Sequence, residues 1–307
     1  MNDPAMLAIV GLSNAYLSIM ILAPILGLNT AQDTLTSQAF GRGDLHLCGI
    51  YLSRGRLILI TFFMTLGIGP ALFSQKIFLA IGQDPEVSRL AHIQVLAGLP
   101  AMLCYGLFDL YKRWLSDMLN NKVPMISMIV ASVLHVPLCV LFIYRLDMGV
   151  VGLAVATSCR EFILLSFLII YCNCSQDLRE KLPPACPIEA YQDWIGYLRL
   201  AVPAALVVVA EMSVFQVLTV LAGRLGVVEQ AAMTIITSVQ FFLLQISMGM
   251  QEAMSGIIGN CVGANKVVLA KRFFDLILKV SIFKLLLIGI IIVMLRAQIT
   301  SLFTNDD

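Results

Sequence analysis

One acid in this chain stands in an unusual solvent. Glu211 lies in VVVAEMSVF, about halfway along an apolar run. A carboxylate in hydrocarbon is costly unless it is paired, protonated or turned toward a wet cavity. An acid so placed can hold a proton or an organic cation, and competition between them for one group is exchange in its simplest form. Phe215 and Gln216 follow closely, although Gln216 cannot titrate. Phe215, Met212, Met233, Phe241 and Phe242 suit an adaptable apolar wall. A second polar group is the stretch TAQDTLTSQAFGRGD, beginning at Thr30. Asp33 there reads either as a gate or hinge acid or, preferably, as a structural residue. On the preferred reading Thr34, Thr36 and Gln38 bond backbone where two helices meet. Asp109 precedes Lys112 and Arg113 by three and four residues, the spacing of a salt bridge within one helix. Arg160 and Glu161 interrupt another apolar run in TSCREFILL. Adjacent helical residues point about 100° apart, so each is expected to need its own partner, with cavity lining as a candidate role. Lys279 and Lys284 either snorkel or face a cavity.

The elements that must carry these residues follow from composition. The chain is 59% hydrophobic and 13% charged, whereas soluble domains carry about 25% charged residues. Its apolar residues form blocks of about 20, the length of a membrane-crossing helix. Eight such runs are expected, near 5–28, 57–74, 93–111, 123–144, 148–172, 200–222, 231–251 and 274–295. The fold class is therefore an all-α polytopic membrane protein. A net charge of +1 without a basic cluster argues against nucleic acid as a partner. The eight cysteines, including Cys172, Cys174 and Cys186, lack paired metal-ligand spacing, so no metal is expected. No H-E-x-x-H motif occurs, and His135 reads as a packed or cavity-facing residue, so an enzyme is not expected.

Alternate loops differ in charge. Arg42, Arg54, Arg56, Lys112, Arg113, Lys122, Arg179, Lys181, Arg199, Lys266, Lys271 and Arg272 fall on one side. Only Lys76, Arg89, Arg145, Arg224 and Arg296 fall on the other. The first side is expected to be cytoplasmic, which places the start of the chain outside although MNDPAMLAIV is no signal peptide. A first helix preceding residue 1 would resolve this. Trp114, Trp194 and Tyr197 are expected as interfacial anchors. Asp84 and Pro85 read as the cap and first turn of a helix.

The chain also echoes itself. EAMSGIIGNCVGANKVVLAKRFFDLIL resembles DTLTSQAFGRGDLHLCGIYLSRGRLIL, with Gly263 on Gly41, Asn260 on Gln38 and Lys271 near Arg54, an offset of 222. Both pieces lie between apolar runs on the basic side, as in transporters built from parallel repeats. Gly41 and Gly43 are expected to permit a tight turn with φ > 0 that ends the first helix. Completing both halves gives six plus six spans. The chain then reads as eight spans of a twelve-helix, two-lobe pseudo-repeat, without the first span and the last three. Residues 1–172 form the first lobe, 173–198 a cytoplasmic linker with the extended segment KLPPACP, and 199–307 a partial second lobe.

Five segments carry a family resemblance: DTLTSQAFG from Asp33, IGQDPEVSRLA from Ile81, LRLAVPAALVVVAEMSVFQ from Leu198, GNCVGAN from Gly259, and the final SLFTNDD. In this order they resemble the multidrug and toxic compound extrusion (MATE) family, especially its eukaryotic members. The resemblance implies two six-helix lobes around a V-shaped cavity. It implies export of small organic cations and amphiphiles in exchange for H⁺ or Na⁺, without a cofactor, across a plasma or organelle membrane. It implies that Glu211 binds cation or substrate. Gln216 stands where relatives often carry a second acid, no acid stands near Ser238, and Ser247 replaces a usual proline. Two alternatives remain open: a lipid-linked substrate flippase, toward which Arg160, Lys279 and Lys284 point, and a non-transporting truncated isoform or pseudogene product.

Overall fold

A computed structural model describes residues 4–176, 178, 187–225 and 227–294. KLPPA and Cys186 of the linker, and SLFTNDD with Arg296, lie outside the described residues. Within hydrocarbon a backbone must satisfy its own polar groups, and helices do so. Every regular element among the described residues is helical.

Helix α1 comprises Pro4–Leu17, a π turn Ser18–Leu22 and Ala23–Gly41. Helix α2 comprises Leu45–Phe62, a π turn Phe63–Gly67 and Ile68–Leu72. The short α3 is Ser74–Ala80. Then come α4, Pro85–Asp117, and α5, Lys122–Cys139 with a π end Val140–Arg145. Helix α6 is Gly149–Cys174, and a 3-10 turn Ile188–Tyr191 precedes α7, Trp194–Leu225. Helix α8 is Val227–Gly263 and α9 is Val267–Met294. The π turns lie beside Pro24, Pro70 and Pro137. Proline deletes a backbone donor and crowds the preceding turn, and a widened turn absorbs the fault.

Seven of these helices are long and apolar enough to cross a membrane, from Ile9–Gly41 to Val267–Met294. Helix α8 contains the remaining expected run, 231–251. The protein is a multi-pass membrane protein. Its helices outrun their apolar stretches. Helix α2 begins at Leu45, well before the run expected at 57–74. Arg54, assigned to a loop from sequence, is instead a buried helical residue. It donates to the Glu189 carbonyl at 3.1 Å, lies 3.6 Å from the Asp193 carboxylate and stacks on Tyr51. Two expected interfacial aromatics are also buried. Trp114 is fully enclosed, its indole N–H donating to the Cys48 carbonyl at 3.0 Å. The Tyr197 hydroxyl reaches the Leu28 carbonyl at 3.4 Å. Each has a neighbouring helix to satisfy its polar edge, so neither needs the membrane surface. Asp84 caps α4 as expected, accepting from the Glu86 and Val87 amides.

The internal echo is structural as well as sequential. From Gly41 to Gly263, where α1 and α8 end, the offset is 222, and from Leu45 to Val267, where α2 and α9 begin, it is again 222. Both turns close alike. Gly43 N–H donates to Phe40 and Asp44 N–H to Ala39, as Asn265 donates to Val262 and Lys266 to Cys261. Gly43 and Asn265 both take the left-handed conformation, φ 81° and 60°, the usual way to close a helix C-terminus. Gly43 therefore has the role expected of it. Gly41 does not have positive φ, and its role is packing.

The first half is well filled. Ile21 and Ile25 of α1 and Leu59 and Phe63 of α2 form a groove that Val95 and its neighbours on α4 occupy. Leu110, Trp114 and Leu115 pack with Leu164 and Leu168 of α6. The corresponding groove between α8 and α9 is open among the described residues, with a volume of about 810 Å³. Residues 243, 247, 251, 255, 281, 285 and 289 line it. Under the same offset these match Ile21, Ile25, Asn29, Asp33, Leu59, Phe63 and Gly67.

Candidate functional site

The two echo segments meet. A side chain at Gly41 would collide with the Asn260 backbone, and one at Gly263 would collide with the Gln38 backbone. Gln38 and Asn260 are equivalent positions, as are Gly41 and Gly263, so the contacts are reciprocal. A side chain at Gly259 would strike Ser37, its own counterpart. This is the geometry of a pseudo-two-fold axis running through the crossing of α1 and α8. Farther along α1, Gly27 meets Ala205 of α7 with equal closeness. Small residues let the backbones touch, which favours helix association in a membrane.

A charged lattice seals this crossing at its basic end. Arg113 donates to Asp109 at 2.8 Å and to Asp33 at 2.6 Å. Asn29 donates to Asp109 and to the Gly106 carbonyl, both at 3.0 Å. Lys112 lies 3.1 Å from Asp109 and 2.8 Å from Glu252 of α8. Arg113 also approaches Glu252 at 3.7 Å. Asn260 of α8 donates to the Asp117 carbonyl at 2.9 Å. The salt bridges expected from Asp109 to Lys112 and Arg113 are present, but they are two of the lattice's five ion pairs. Asp33 is ion-paired, which the preferred structural reading did not provide for. Thr36 accepts from Gln32 at 2.7 Å, and Ser37, rather than Thr34, bonds the Asp33 carbonyl. Glu252 and Asp117 escaped the sequence reading. Glu252 had a visible signal, since it opens the echo segment, but its partner lies 140 residues away.

Glu211, Phe215 and Gln216 lie together on α7. Glu211 is exposed and has no hydrogen bond or ion pair among the described residues. Phe215 is one turn away on the same face and half-buried. Gln216 is about 140° further round the helix from Glu211. Arg160 and Glu161 are elsewhere, on α6, with Glu161 close to Cys104 and Tyr105 of α4. Contrary to expectation they pair with each other. The long arginine chain curls back across the angle between adjacent residues. Glu161 is buried and its second oxygen has no partner among the described residues. Lys284 donates to Ser247 at 2.6 Å across the α8–α9 groove. Among the described residues no cluster of histidine, cysteine and acids could hold a metal.

Comparison with known proteins agrees with this architecture. The chain is 32% identical over 282 residues to multidrug and toxin extrusion protein 2 of Mus musculus, covering 91% of this chain and 48% of that protein. It is 30% identical over 303 residues to multidrug and toxin extrusion protein 1 of Oryctolagus cuniculus, covering 97% and 52%. The chain thus spans about half the length of the curated relatives it matches. The crystal structure of the eukaryotic MATE transporter AtDTX14 superposes with a TM-score of 0.85 at 21% identity, covering 99% of this chain and 68% of that one. That similarity establishes a shared fold of membrane helices. The MatE family model matches residues 2–141 and 203–307. The chain belongs to the MatE family.

Proposed function

We propose that the protein is a secondary antiporter that exports organic cations and related amphiphiles in exchange for H⁺ or Na⁺. One observation carries the mechanism: two equivalent helices cross about a pseudo-two-fold axis, with their charged lattice confined to the basic end. Such a crossing can part as a unit, which is what alternating access requires of two repeats. The positive-inside count makes this the cytoplasmic end, so the state described is closed to the cytoplasm. Residues 1–172 and 199–307 then move as the two lobes, joined by 173–198. Glu211 is the exchange group, binding proton or cationic substrate in turn. Phe215 offers an apolar face beside it and Gln216 a neutral polar one. The multidrug and toxin extrusion names of the relatives support this substrate class.

The test uses the protein at its natural length. Glu211→Gln should abolish efflux of a fluorescent organic cation driven by a pH or sodium gradient, with unchanged amounts in the membrane. Normal gradient-driven efflux would overturn the assignment.

A further inference from the structure

The lattice at the crossing does not balance. Four acids, Asp33, Asp109, Asp117 and Glu252, share two cations, Lys112 and Arg113. Three of the acids have their cation. Asp117 does not. It is 1% exposed, and its carboxyl group has no hydrogen bond or ion pair among the described residues. Helix α8 covers it: a side chain at Gly256 would come within 3.5 Å of its Oδ1. Asn260 of α8 is held on the Asp117 backbone carbonyl, and the Asn260 Oδ1 is likewise buried without a donor.

We propose that Asp117 is a proton-binding site built into the seam between α4 and α8, occupied while the basic ends of the lobes are together and emptied when they part. The groups facing it decide the matter. Helix α1 presents Asp33 and α8 presents Glu252, both negative. Helix α2 presents the Cys48 thiol. Helix α6 contributes Leu164, Leu168 and Cys172 to the core beneath. Arg113, on its own helix, is already committed to Asp33 and Asp109. An unpaired carboxylate among these groups carries the full cost of a buried charge. A proton removes that cost and turns the carboxyl group from an acceptor alone into an O–H donor as well. When α8 withdraws, water can solvate the carboxylate and the proton leaves. The sign follows: closure takes up a proton, so acid favours the closed seam and alkali favours the open one.

This inference needs the lobes to separate, as the antiporter reading does, but needs no particular substrate or coupling ion. Native cysteines report it. Cys261 is buried on α8 beside Asn260, while Cys174 is exposed. Maleimide labelling of the full-length protein in membranes, read by mass spectrometry as the Cys261 to Cys174 ratio, cancels most of the intrinsic pH dependence of thiol reactivity. The ratio should rise with pH, by up to about tenfold per unit where one proton is linked. Asp117→Asn, neutral at every pH and nearly isosteric, should hold it low and flat. A flat wild-type ratio overturns the proposal whether or not the variant folds. So does an Asp117→Asn ratio as steep as wild type, or a ratio that follows sodium at fixed pH. If labelling fails in any of these ways while Glu211→Gln still abolishes efflux, the antiporter reading stands without the seam proton.

Discussion

The groove between α1 and α2 and the groove between α8 and α9 are built on the same plan and have different contents. In the first, Asn29 and Asp33 face α4, whose Asp109 and Arg113 answer them. Gly106 lets that helix approach until a side chain there would lie 2.7 Å from Ile25. In the second, Gln251 and Ser255 stand at the matching positions, Ser247 and Ser281 replace Ile25 and Leu59, and the groove is open. Helix α4, which fills the first groove, begins at Pro85, and the position matching it under the offset of 222 is 307, outside the described residues. The scaffold repeats where helices start, stop and cross, while the lining side chains differ, with ion-paired Asp33 in the first groove and Ser255 at its match in the second.

The sharpest way to break this comparison is through Asp109. It is fully buried and holds two cations. Asp109→Ala should remove the anion that Arg113 and Lys112 share, leave Asn29 without its carboxylate acceptor and cost about 1.5–3 kcal/mol, seen as a fall in Tm of the purified protein. Gln251→Ala in the open groove is the matched control, and an equal fall there would erase the distinction. The next effect is steric. Gly41→Ala places a methyl group against the Asn260 backbone, which no rotamer change can relieve. It should cost about 1–3 kcal/mol and raise Cys261 labelling at all pH values. The smallest effect belongs to Gly289, which lines the open groove with nothing within 4 Å of an added side chain. Gly289→Ala should leave Tm unchanged or raise it slightly, by about 0.5 kcal/mol of helix propensity. A clear loss would mean that the groove is filled in the working protein.

The first of these contrasts rests partly on what was legible in sequence. Asp109, Lys112 and Arg113 announce their pairing because a helix brings positions three and four apart onto one face. Membrane spans and the echo were legible for the same reason: length, hydropathy and repetition are properties of neighbouring residues. Helix ends were less so, because α2 extends through polar residues whose partners lie on other elements, as Arg54 does with Glu189. Arg160 misled because spacing gives the direction of Cβ and says nothing of how a long side chain folds. The roles of Glu252 and Asp117 were not legible, although Glu252 opens the echo segment, because they depend on how one half docks against the other. Gly41 looked like a turn residue and is a contact residue, a difference that only the facing backbone reveals.

The meeting of Ser37 with Gly259 has a consequence for how such a duplicated protein can change. Away from the axis, a substitution in one half is felt by a different position in the other. On the axis a position meets its own image, and the two share a single allotment of volume. Both cannot carry side chains, so identity between the halves is sterically excluded there unless both are glycine. A gene that began as a perfect duplicate must diverge at that point or keep it bare. The centre of the molecule's symmetry is thus the place where its two halves are least free to be alike.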